Sequence, residues 1–291
     1  MRKNFITIGT FDGVHLGHRH LMFVLKDLAA RSDMESMALT FPLPPRAVIN
    51  GEEPQLLTTP AEKSVLLKEF GVEKVINLDF AKIRDLSACD FFDILLKKYD
   101  MGGILTGPDF AFGRGRNGDL NFLHKACAAN NITCVQADFV RQCGHKISSS
   151  RIRVALHAGD IAAANALLGR AYGIAGKVVK GRQLGRTIGF PTANLDISAN
   201  KVLPRGIFAA RAILGAEAFN AVCNIGTRPT IENNGRPLVE AHLLDFDRDI
   251  YDQILHVDIT AKIRDEIKFK SIDELTAQIQ KDAASARKLL Q

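Results

Sequence analysis

Residues 4–18 read NFITIGTFDGVHLGH, and this stretch decides the fold of the first half of the chain. It begins with an apolar run typical of a buried β-strand and continues into a loop with glycines at 9, 13 and 17. Glycine is needed where the backbone takes a positive φ or comes close to a ligand. The next apolar residues have helical spacing, and they are Leu21, Val24, Leu25 and Leu28. The stretch therefore predicts a strand, a loop that approaches a ligand, and a helix.

The alternation of strand and helix continues through the first half. Apolar strands are predicted at residues 4–9, 35–41, 74–80, 102–107 and 132–137. Helix starts lie between them, with Thr59 and Glu62 forming a capping box and Ser87 with Asp90 a similar pair. This pattern predicts a Rossmann-like α/β domain whose parallel sheet is covered by helices on both faces. Ligands of such a sheet bind at the carboxyl ends of its strands, where the 9–15 loop emerges.

The pattern changes after Gly169. A short helix capped by Asp160 and closed by Gly169 is followed by strands without intervening helices. These strands are predicted at residues 172–181, 206–214, 219–226, 237–246 and 254–263. Such a series predicts an antiparallel β-barrel, and a terminal helix follows from the capping box of Ser271 and Glu274. We place the domain limits at 1–168 and 169–291.

Composition narrows the class of protein. The chain has 291 residues, of which 46% are hydrophobic, so it can fill a sizeable core. Its apolar runs are shorter than the roughly 18 residues that span a bilayer, and its first residues enter a strand rather than a secretory segment. The five cysteines form no CxxC pair and indicate reduced thiols rather than disulfides or a zinc site. We therefore expect a cytoplasmic protein without a membrane partner.

The net charge of +6 permits two kinds of ligand. It suits nucleic acid, but it equally suits an enzyme whose ligands are phosphorylated. The chain has no Trp and three Tyr, which argues against a surface on which bases stack. We therefore expect small phosphorylated ligands and no nucleic acid.

His15 and His18 are the first candidate site residues. They lie at the start of the predicted helix with Gly17 between them, so both can point at an anion above free backbone N–H groups and the positive helix end. A metal site would need a third ligand, and none is evident nearby. The arrangement predicts a site for nucleotide phosphates.

Three motifs now occur in order: GTFDGVHLGH at 9–18, GPDFAFGRGRNGD at 107–119 and SSSRIR at 148–153. HLGH matches the HxGH motif of the nucleotidyltransferase superfamily. Together the motifs resemble the FAD synthetase module of the prokaryotic bifunctional riboflavin kinase/FAD synthetases. The resemblance implies transfer of AMP from ATP to FMN, which gives FAD and pyrophosphate.

The implied residue roles fit this chemistry. The FMN phosphate is already an anionic nucleophile, so the reaction needs alignment and charge stabilisation rather than a general base. The resemblance assigns His15 and His18 to the triphosphate, with Ser149, Ser150 and Arg153 on its outer phosphates. Asp109 and Phe110 are assigned to the nucleotide or flavin pocket. The remaining predicted nucleotide-binding residues are Gly9, Phe11, Asp12, Gly13, Gly17 and Gly107. An ordinary helix cap is the alternative interpretation of SSSRIR.

The second half has a glycine-rich, basic stretch, GKVVKGRQLGRTIGFPTANL at 176–195. Such a loop can wrap phosphates with backbone N–H groups, although it is no Walker A sequence, and turns between barrel strands are the alternative. With LPRGIFA at 203–209, NIGTRPT at 224–230 and VEAHLLDF at 239–246, it resembles the riboflavin kinase module of the same family.

A kinase that acts on the ribityl 5′-hydroxyl of riboflavin needs a base, and Glu240 is the candidate. Thr192 and Asn194 offer oxygen ligands for Mg²⁺, which bridges ATP phosphates. The other residues predicted to bind ATP or flavin are Gly176, Lys177, Gly181, Arg186, Gly189, Pro191 and Asn224. The alternative for Glu240 is a cross-strand salt bridge, because VEAHLLDF alternates like a strand.

The sequence thus predicts an enzyme that phosphorylates riboflavin and then adenylylates FMN, with ATP and flavins as substrates and Mg²⁺ as cofactor. One alternative is a riboflavin kinase whose first domain is inactive or repurposed. It is motivated by TFPLPPRAV at 40–48, which lacks the polar residue common between the prolines of the family's loop. A flavin- or nucleic-acid-binding regulator is the alternative from another class. The sequence leaves the oligomeric state open.

Overall fold

The computed structural model describes residues 2–181, 183–227 and 237–291. The chain divides into two compact units, Met1–Ser149 and Ser150–Gln291, each of which is described by itself. The domain limit between residues 168 and 169 stays a prediction.

The first unit contains a five-stranded parallel sheet, as predicted. In chain order its strands are β1 (Asn4–Ile8), β2 (Glu35–Thr40), β3 (Lys74–Asn77), β4 (Met101–Thr106) and β5 (Thr133–Gln136). Their spatial order is β3-β2-β1-β4-β5, so the strand order reverses between β1 and β4. In doubly wound sheets, ligands bind in the crevice at such a switch point. The sheet therefore places the loop after β1 beside the loop after β4.

Helices cover both faces of this sheet. They are α1 (Leu16–Arg31), α2 (Pro45–Asn50), α3 (Pro60–Glu69), α4 (Phe80–Ile83), α5 (Ala88–Lys98) and α6 (Leu120–Ala129). A 3₁₀ turn spans Arg114–Arg116, and a short antiparallel ribbon consists of β6 (Arg141–Gln142) and β7 (His145–Lys146). Successive residues of β1 pack into different cores, since Phe5 joins the cluster of α1 and α3 and Ile6 joins that of α5 and α6.

The predicted helix starts are confirmed. Thr59 Oγ1 accepts the Glu62 N–H at 3.2 Å, and the Glu62 carboxylate accepts the Thr59 N–H at 2.8 Å, which completes the capping box of α3. Ser87 caps α5 through the Asp90 N–H. These caps fix where α3 and α5 begin after the preceding loops.

The second unit contains a closed antiparallel barrel, as predicted. In the described residues its strands are β8 (Tyr172–Val179), β9 (Ala193–Asp196), β10 (Gly206–Leu214), β11 (Glu217–Thr227), β12 (Pro237–Leu243) and β13 (Ile254–Arg264). Their order around the barrel is β10-β11-β12-β9-β8-β13. The sequence pattern missed β9, because its four residues, ANLD, are too few to show a period of two.

Helices flank the barrel strands along the chain. They are α7 (Ser149–His157), α8 (Ile161–Leu168), α9 (Leu184–Thr187) and the terminal α10 (Ile272–Leu289). The caps predicted at Asp160, Gly169 and Ser271 are confirmed. Ala286 of α10 packs with Ile207 and Val222 of the barrel, so the terminal helix is docked on its outer surface.

Side chains of β12 alternate between the barrel interior and its outer face. Val239, Ala241 and Leu243 are buried, whereas Glu240 and His242 between them are half-buried. The alternation places Glu240 on the outer face of the barrel.

Candidate active sites

The loop after β1 has an unusual backbone. Phe11, Gly13 and Val14 have φ values of 49°, 81° and 37°. A positive φ is costly for a β-branched residue such as Val14 and persists only where neighbouring contacts enforce it. Here the Gly13 N–H donates to Thr58 Oγ1 at 3.0 Å. The loop is therefore held in shape by the protein itself.

Asp12 supplies the other contacts that hold this loop. Its side chain is buried, and Oδ1 accepts the N–H groups of Leu57 at 2.9 Å and Thr58 at 3.1 Å. These residues lead directly into α3. The carboxylate predicted to bind nucleotide thus also anchors the entry of α3 to the histidine loop.

His15 and His18 form a stacked pair at the start of α1. Their ring centroids lie 3.7 Å apart with 14° between the planes, and His15 caps the helix because its Nδ1 accepts the His18 N–H at 3.3 Å. An Nδ1 that accepts assigns the proton of neutral His15 to Nε2. Gly17 leaves room for this ring, since a Cβ there would lie 3.1 Å from its Cε1 and Nδ1. The pair therefore presents hydrogen-bond donors at a helix N-terminus, which suits an anion.

Other predicted residues lie around this pair. The Phe11 ring meets His18 edge-on with 5.4 Å between centroids, and a Cβ on Gly9 would lie 2.6 Å from the Phe11 ring. Ser149 Oγ donates to the Asp12 carbonyl at 2.8 Å. Gly107 follows β4 with open space where a Cβ would stand. The structure thus brings Gly9, Phe11 and Ser149 together with the histidine loop.

Asp109 is held by two basic residues that sequence reasoning missed. Its carboxylate pairs with Lys146 Nζ at 2.6 Å, and its carbonyl accepts Arg116 Nη2 at 3.2 Å. Phe110 stacks at a tilt on Phe112, with 5.5 Å between centroids. Lys146 is 37 residues from Asp109 in the chain, so no local spacing could have revealed this pair.

Ser150 and Arg153 belong to α7 in the second unit. They stand three residues apart on one helix face, with Ser150 exposed and Arg153 half-buried. Their role at the triphosphate stays a prediction.

Three predicted residues of the barrel form one row across neighbouring strands. Glu240 of β12 is the register partner of Asn194 on β9 and of Asn224 on β11. Directly opposite residues share a face of the sheet, so the carboxylate stands between two amides on the outer face. Among the described residues, Asn224 Oδ1 is buried without a hydrogen-bond partner. A buried acceptor of this kind is costly unless a ligand completes it.

The segment between β8 and β9 covers this row. A Cβ on Gly181 would lie 2.5 Å from Asn194 Nδ2, so the backbone of residue 181 rests on the amide. Further along, the Phe190 N–H donates to the Gly185 carbonyl at 2.8 Å, and a Cβ on Gly185 would lie 2.3 Å from the Phe190 oxygen. Both glycines are needed because the segment packs closely on itself and on β9.

His242 fastens the same segment to β12. Its Nδ1 lies 2.8 Å from the Pro191 carbonyl oxygen, and its ring meets Phe190 edge-on with 5.6 Å between centroids. The carbonyl accepts only, so Nδ1 carries a proton and donates. His242 lies two residues from Glu240 on the same face of β12. Thr192 directly follows Pro191 in the chain, and its place beside the row stays a prediction.

The pKa of Cys223 agrees with the position of Glu240 on the barrel wall. Burial, and then the charge of the Glu240 carboxylate, raise the pKa of the Cys223 thiol to about 12. Cys223 lies in the barrel interior on the strand next to β12, so the carboxylate is close to the barrel wall.

The remaining predicted barrel residues lie within this segment or on the strand before it. Lys177 Nζ pairs with Asp252 Oδ1 at 2.6 Å, and this hydrogen bond lowers the pKa of Asp252. A Cβ on Gly176 would lie 2.6 Å from the Asp196 carbonyl oxygen. Gly189 has a φ of 85°, and Arg186 is exposed on α9. Arg182 of the basic stretch and residues 228–230 of NIGTRPT lie outside the described residues.

The first unit has a histidine pair at the switch point of a parallel sheet. The second has a carboxylate between two amides on a barrel, under a glycine-rich segment. Together these features define a two-module nucleotide-dependent transferase. Residues 1–151 match the family model described as FAD synthetase, and residues 168–290 match the one described as riboflavin kinase. The chain belongs to the bifunctional riboflavin kinase/FMN adenylyltransferase family, and both modules of that family are present. The predicted family, fold class and enzyme classes are confirmed.

Relatives from several bacteria match nearly the whole chain. Bifunctional riboflavin kinase/FMN adenylyltransferase of Escherichia coli K12 is 38% identical over 286 residues, which cover 97% of this chain and 91% of that protein. The protein of the same name from Bacillus subtilis is 34% identical over 290 residues, which cover 98% and 92%.

A solved structure has the same fold over the whole chain. It is described as a macrolide-efflux protein from Streptococcus pneumoniae, with 30% identity, a TM-score of 0.88, and coverage of 99% of this chain and 95% of that one. In the part of this chain that the structure describes, no helix has the length and apolar character needed to cross a membrane.

Proposed function

We propose that the domain of residues 169–291 transfers the γ-phosphoryl group of ATP to the 5′-hydroxyl of riboflavin, and that the domain of residues 1–168 transfers AMP from a second ATP to the resulting FMN. The row of Asn194, Glu240 and Asn224 is the observation that carries the kinase assignment. The stacked histidines at the start of α1 support the adenylyl transfer. We further propose the domain limits 1–168 and 169–291.

In the kinase step, Glu240 accepts the proton of the riboflavin hydroxyl as its oxygen attacks the γ-phosphorus. The bond between the γ-phosphorus and the oxygen that bridges it to the β-phosphorus breaks, and ADP leaves. Backbone N–H groups of the 176–189 segment bind the phosphates, with Lys177 and Arg186 as nearby positive charges. Asn224 Oδ1 accepts a hydrogen bond from the flavin or its ribityl chain, which completes this buried acceptor.

The residues present also fit Mg²⁺. Thr192 and Asn194 offer a hydroxyl and an amide oxygen, and Asn194 is fixed beside Glu240 by the register of β9 and β12. Magnesium favours few protein oxygens together with water and phosphate oxygens, so this small set of donors is appropriate. When bound, the ion neutralises charge on the ATP phosphates as the γ-phosphoryl group moves.

In the adenylyl transfer, an oxygen of the FMN phosphate attacks the α-phosphorus of ATP. A new bond from phosphate oxygen to phosphorus forms, the bond to the bridging oxygen of the β-phosphate breaks, and pyrophosphate leaves. His15 Nε2 donates to the triphosphate, and His18 and the N-terminus of α1 stabilise its negative charge. Ser149, Ser150 and Arg153 bind the outer phosphates, and Asp109 with Phe110 borders the nucleotide or flavin.

We also propose that the enzyme works in the cytoplasm on small molecules rather than on nucleic acid. Both reactions consume ATP, which is made inside cells. All five cysteines are free, as expected in a reducing compartment.

Chromatography of flavins tests the proposal. The purified chain is incubated with excess ATP and Mg²⁺, and with either riboflavin or FMN as the flavin. We expect FAD from both reactions and transient FMN from riboflavin. FMN that accumulates without FAD would support the alternative of a kinase joined to a silent first domain. The absence of any flavin turnover would contradict both assignments.

A further inference from the structure

Lys63 is a buried lysine that the proposed mechanism does not use. It lies on the buried face of α3, and its side chain is enclosed so that the residue is 3% exposed. Its Nζ donates to two backbone carbonyls, those of Thr10 at 3.0 Å and Phe41 at 2.5 Å. Burying an ammonium group costs free energy unless its protons are bound, so this position demands an explanation.

The two carbonyls belong to different loops at the carboxyl edge of the sheet. Thr10 is in the loop that carries the histidines, and Phe41 begins the loop with sequence FPLPP. The paired residues of β1 and β2 end at Ile8 and Leu39, and the Gly9 N–H still donates to the Leu39 carbonyl at 3.1 Å. Thr10 and Phe41 lie just beyond this bond. Lys63 replaces the ladder there, since one ammonium group binds the backbones of both segments.

Neighbouring side chains also hold the histidine loop in place. Thr40 Oγ1 also donates to the Thr10 carbonyl, at 3.1 Å. Asp12 and Gly13 hold Thr58, which lies two residues before the start of α3 and five before Lys63. The histidine loop is thus fastened to α3 at two places, and the contact of Lys63 also reaches the 41–45 loop through the Phe41 carbonyl.

Two opposing effects act on the charge of Lys63. The Asp12 carboxylate of the histidine loop acts on it and favours the ammonium form, whereas burial is the larger effect and lowers the pKa of Lys63 to about 8. Glu62, its neighbour on α3, is turned to the Thr59 N–H. Because its pKa is about 8, Lys63 loses its charge in mildly alkaline solution.

We propose that Lys63 is a positioning residue for adenylyl transfer, which sets the spacing between the histidine loop and the 41–45 loop and so preassembles the carboxyl edge of the sheet, where ligands of such sheets bind. The proposal rests on the proposed function of the first unit. A neutral Lys63 still has two N–H donors, but its bonds to the carbonyls are weaker because they are no longer assisted by charge.

Replacement of Lys63 tests this role, with riboflavin phosphorylation by the same molecules as the internal control. We expect Lys63→Met to lower kcat/KM for FAD formation from FMN by about 10- to 100-fold, since small misplacements of reacting groups have effects of this size. FMN formation from riboflavin should stay within about twofold of the unaltered chain. The matched control is Lys68→Met, the same change at an exposed lysine of α3, which should leave both activities unchanged.

The pH profile separates positioning by charge from a general structural role. In the unaltered chain, kcat/KM for FAD formation should fall as the pH rises through about 8, because that parameter reports the free enzyme and Lys63 then loses its proton. Lys63→Arg keeps the charge at every pH used, so this fall should move above pH 10. The kinase reaction should show no matching fall.

Two results with Lys63→Met would contradict the positioning role. FAD formation that is unaltered in Lys63→Met, or reduced in step with kinase activity, would overturn the proposal. If Lys63→Met does not fold, the arginine variant decides, and an unchanged fall near pH 8 in that variant would also overturn it. Failure of the unaltered chain to make any FAD would instead reject the proposed function of the first unit.

Discussion

The backbone of Gly181 rests directly on the side-chain amide of Asn194. A Cβ atom on residue 181 would lie 2.5 Å from Asn194 Nδ2 and 2.7 Å from Oδ1, closer than side-chain atoms tolerate. Asn194 cannot move aside freely, since it is buried and its backbone is paired with Glu240 in the barrel. The glycine-rich segment and the row of Asn194, Glu240 and Asn224 therefore share one packed contact.

We predict that Gly181→Ala impairs the kinase selectively. The added methyl group displaces either the segment or Asn194, so phosphorylation of riboflavin should fall at least about tenfold while FAD formation from FMN is retained. Gly215→Ala is the control, because that turn glycine has a φ of 61° and open space around it. It should cost about 1 kcal/mol of stability without selective loss of kinase activity. Full kinase activity of Gly181→Ala would show that the close contact is dispensable.

His242 should act through its bond to the Pro191 carbonyl. In His242→Asn, the amide nitrogen takes the place of Nδ1 and can still donate to that oxygen, whereas His242→Leu removes the donor. We expect the leucine variant to raise KM for ATP by about tenfold or more and the asparagine variant to lie close to the unaltered chain. Steady-state kinase assays measure both, with FAD formation from FMN as the reference. Equal losses in the two variants would indicate that ring packing on Phe190, rather than the hydrogen bond, is what matters.

The ion pair of Arg264 and Asp282 should stabilise the docking of α10. The side chains are 19% and 4% exposed, and the guanidinium makes hydrogen bonds to both carboxylate oxygens. Asp282→Ala leaves the half-buried Arg264 guanidinium without its carboxylate, which should cost about 3 kcal/mol, the low end of the cost for breaking a buried pair. Chemical denaturation of the second unit would measure the loss. Asp245→Ala is the matched control, because Asp245 follows β12 and pairs with Arg287 of the same helix α10, but this pair is exposed and should contribute little. A similar stability for both variants would contradict the assignment.

Two buried cysteines predict how stability depends on alkaline pH. Burial raises the pKa of Cys127 and of Cys223 to about 12, while cysteines of an unfolded chain titrate near 8.5. Between these values the folded state keeps protons that the unfolded chain has lost, so the free energy of unfolding should decrease as the pH rises above about 8.5. Denaturation midpoints from pH 7 to 10 would show this slope. Cys223→Ala should have a shallower slope, and an identical slope would exclude Cys223 as a source.

Much of the fold could be predicted because its signals are local. Apolar periodicity located β1 and α1, and the capping residues located α3, since both signals come from neighbouring residues. β9 was not predicted, because its four residues are too few to show the alternation of a strand. The order of the strands in the sheet and in the barrel was not predicted, because pairing depends on contacts between residues far apart in the chain.

The candidate sites were predictable to a different degree. Glu240, Asn194 and Asn224 were predicted from separate motifs, and the barrel register places them in one row. Lys63 and His242 could not be found in this way, because their partners are distant in the chain: Lys63 lies 53 residues from Thr10, and His242 lies 51 from Pro191. The positive φ of Val14 could not be predicted either, since the contacts of the loop enforce it against the residue's own preference.

The most direct test of the central claim, two separate active sites in one chain, is a crossed assay of Glu240→Gln and His18→Ala. Flavins formed from riboflavin and from FMN are measured for each variant with excess ATP and Mg²⁺. We predict that Glu240→Gln makes no FMN from riboflavin yet still converts FMN to FAD, and that His18→Ala accumulates FMN without FAD. Loss of both activities in either variant, or FAD synthesis that survives in His18→Ala, would contradict the account.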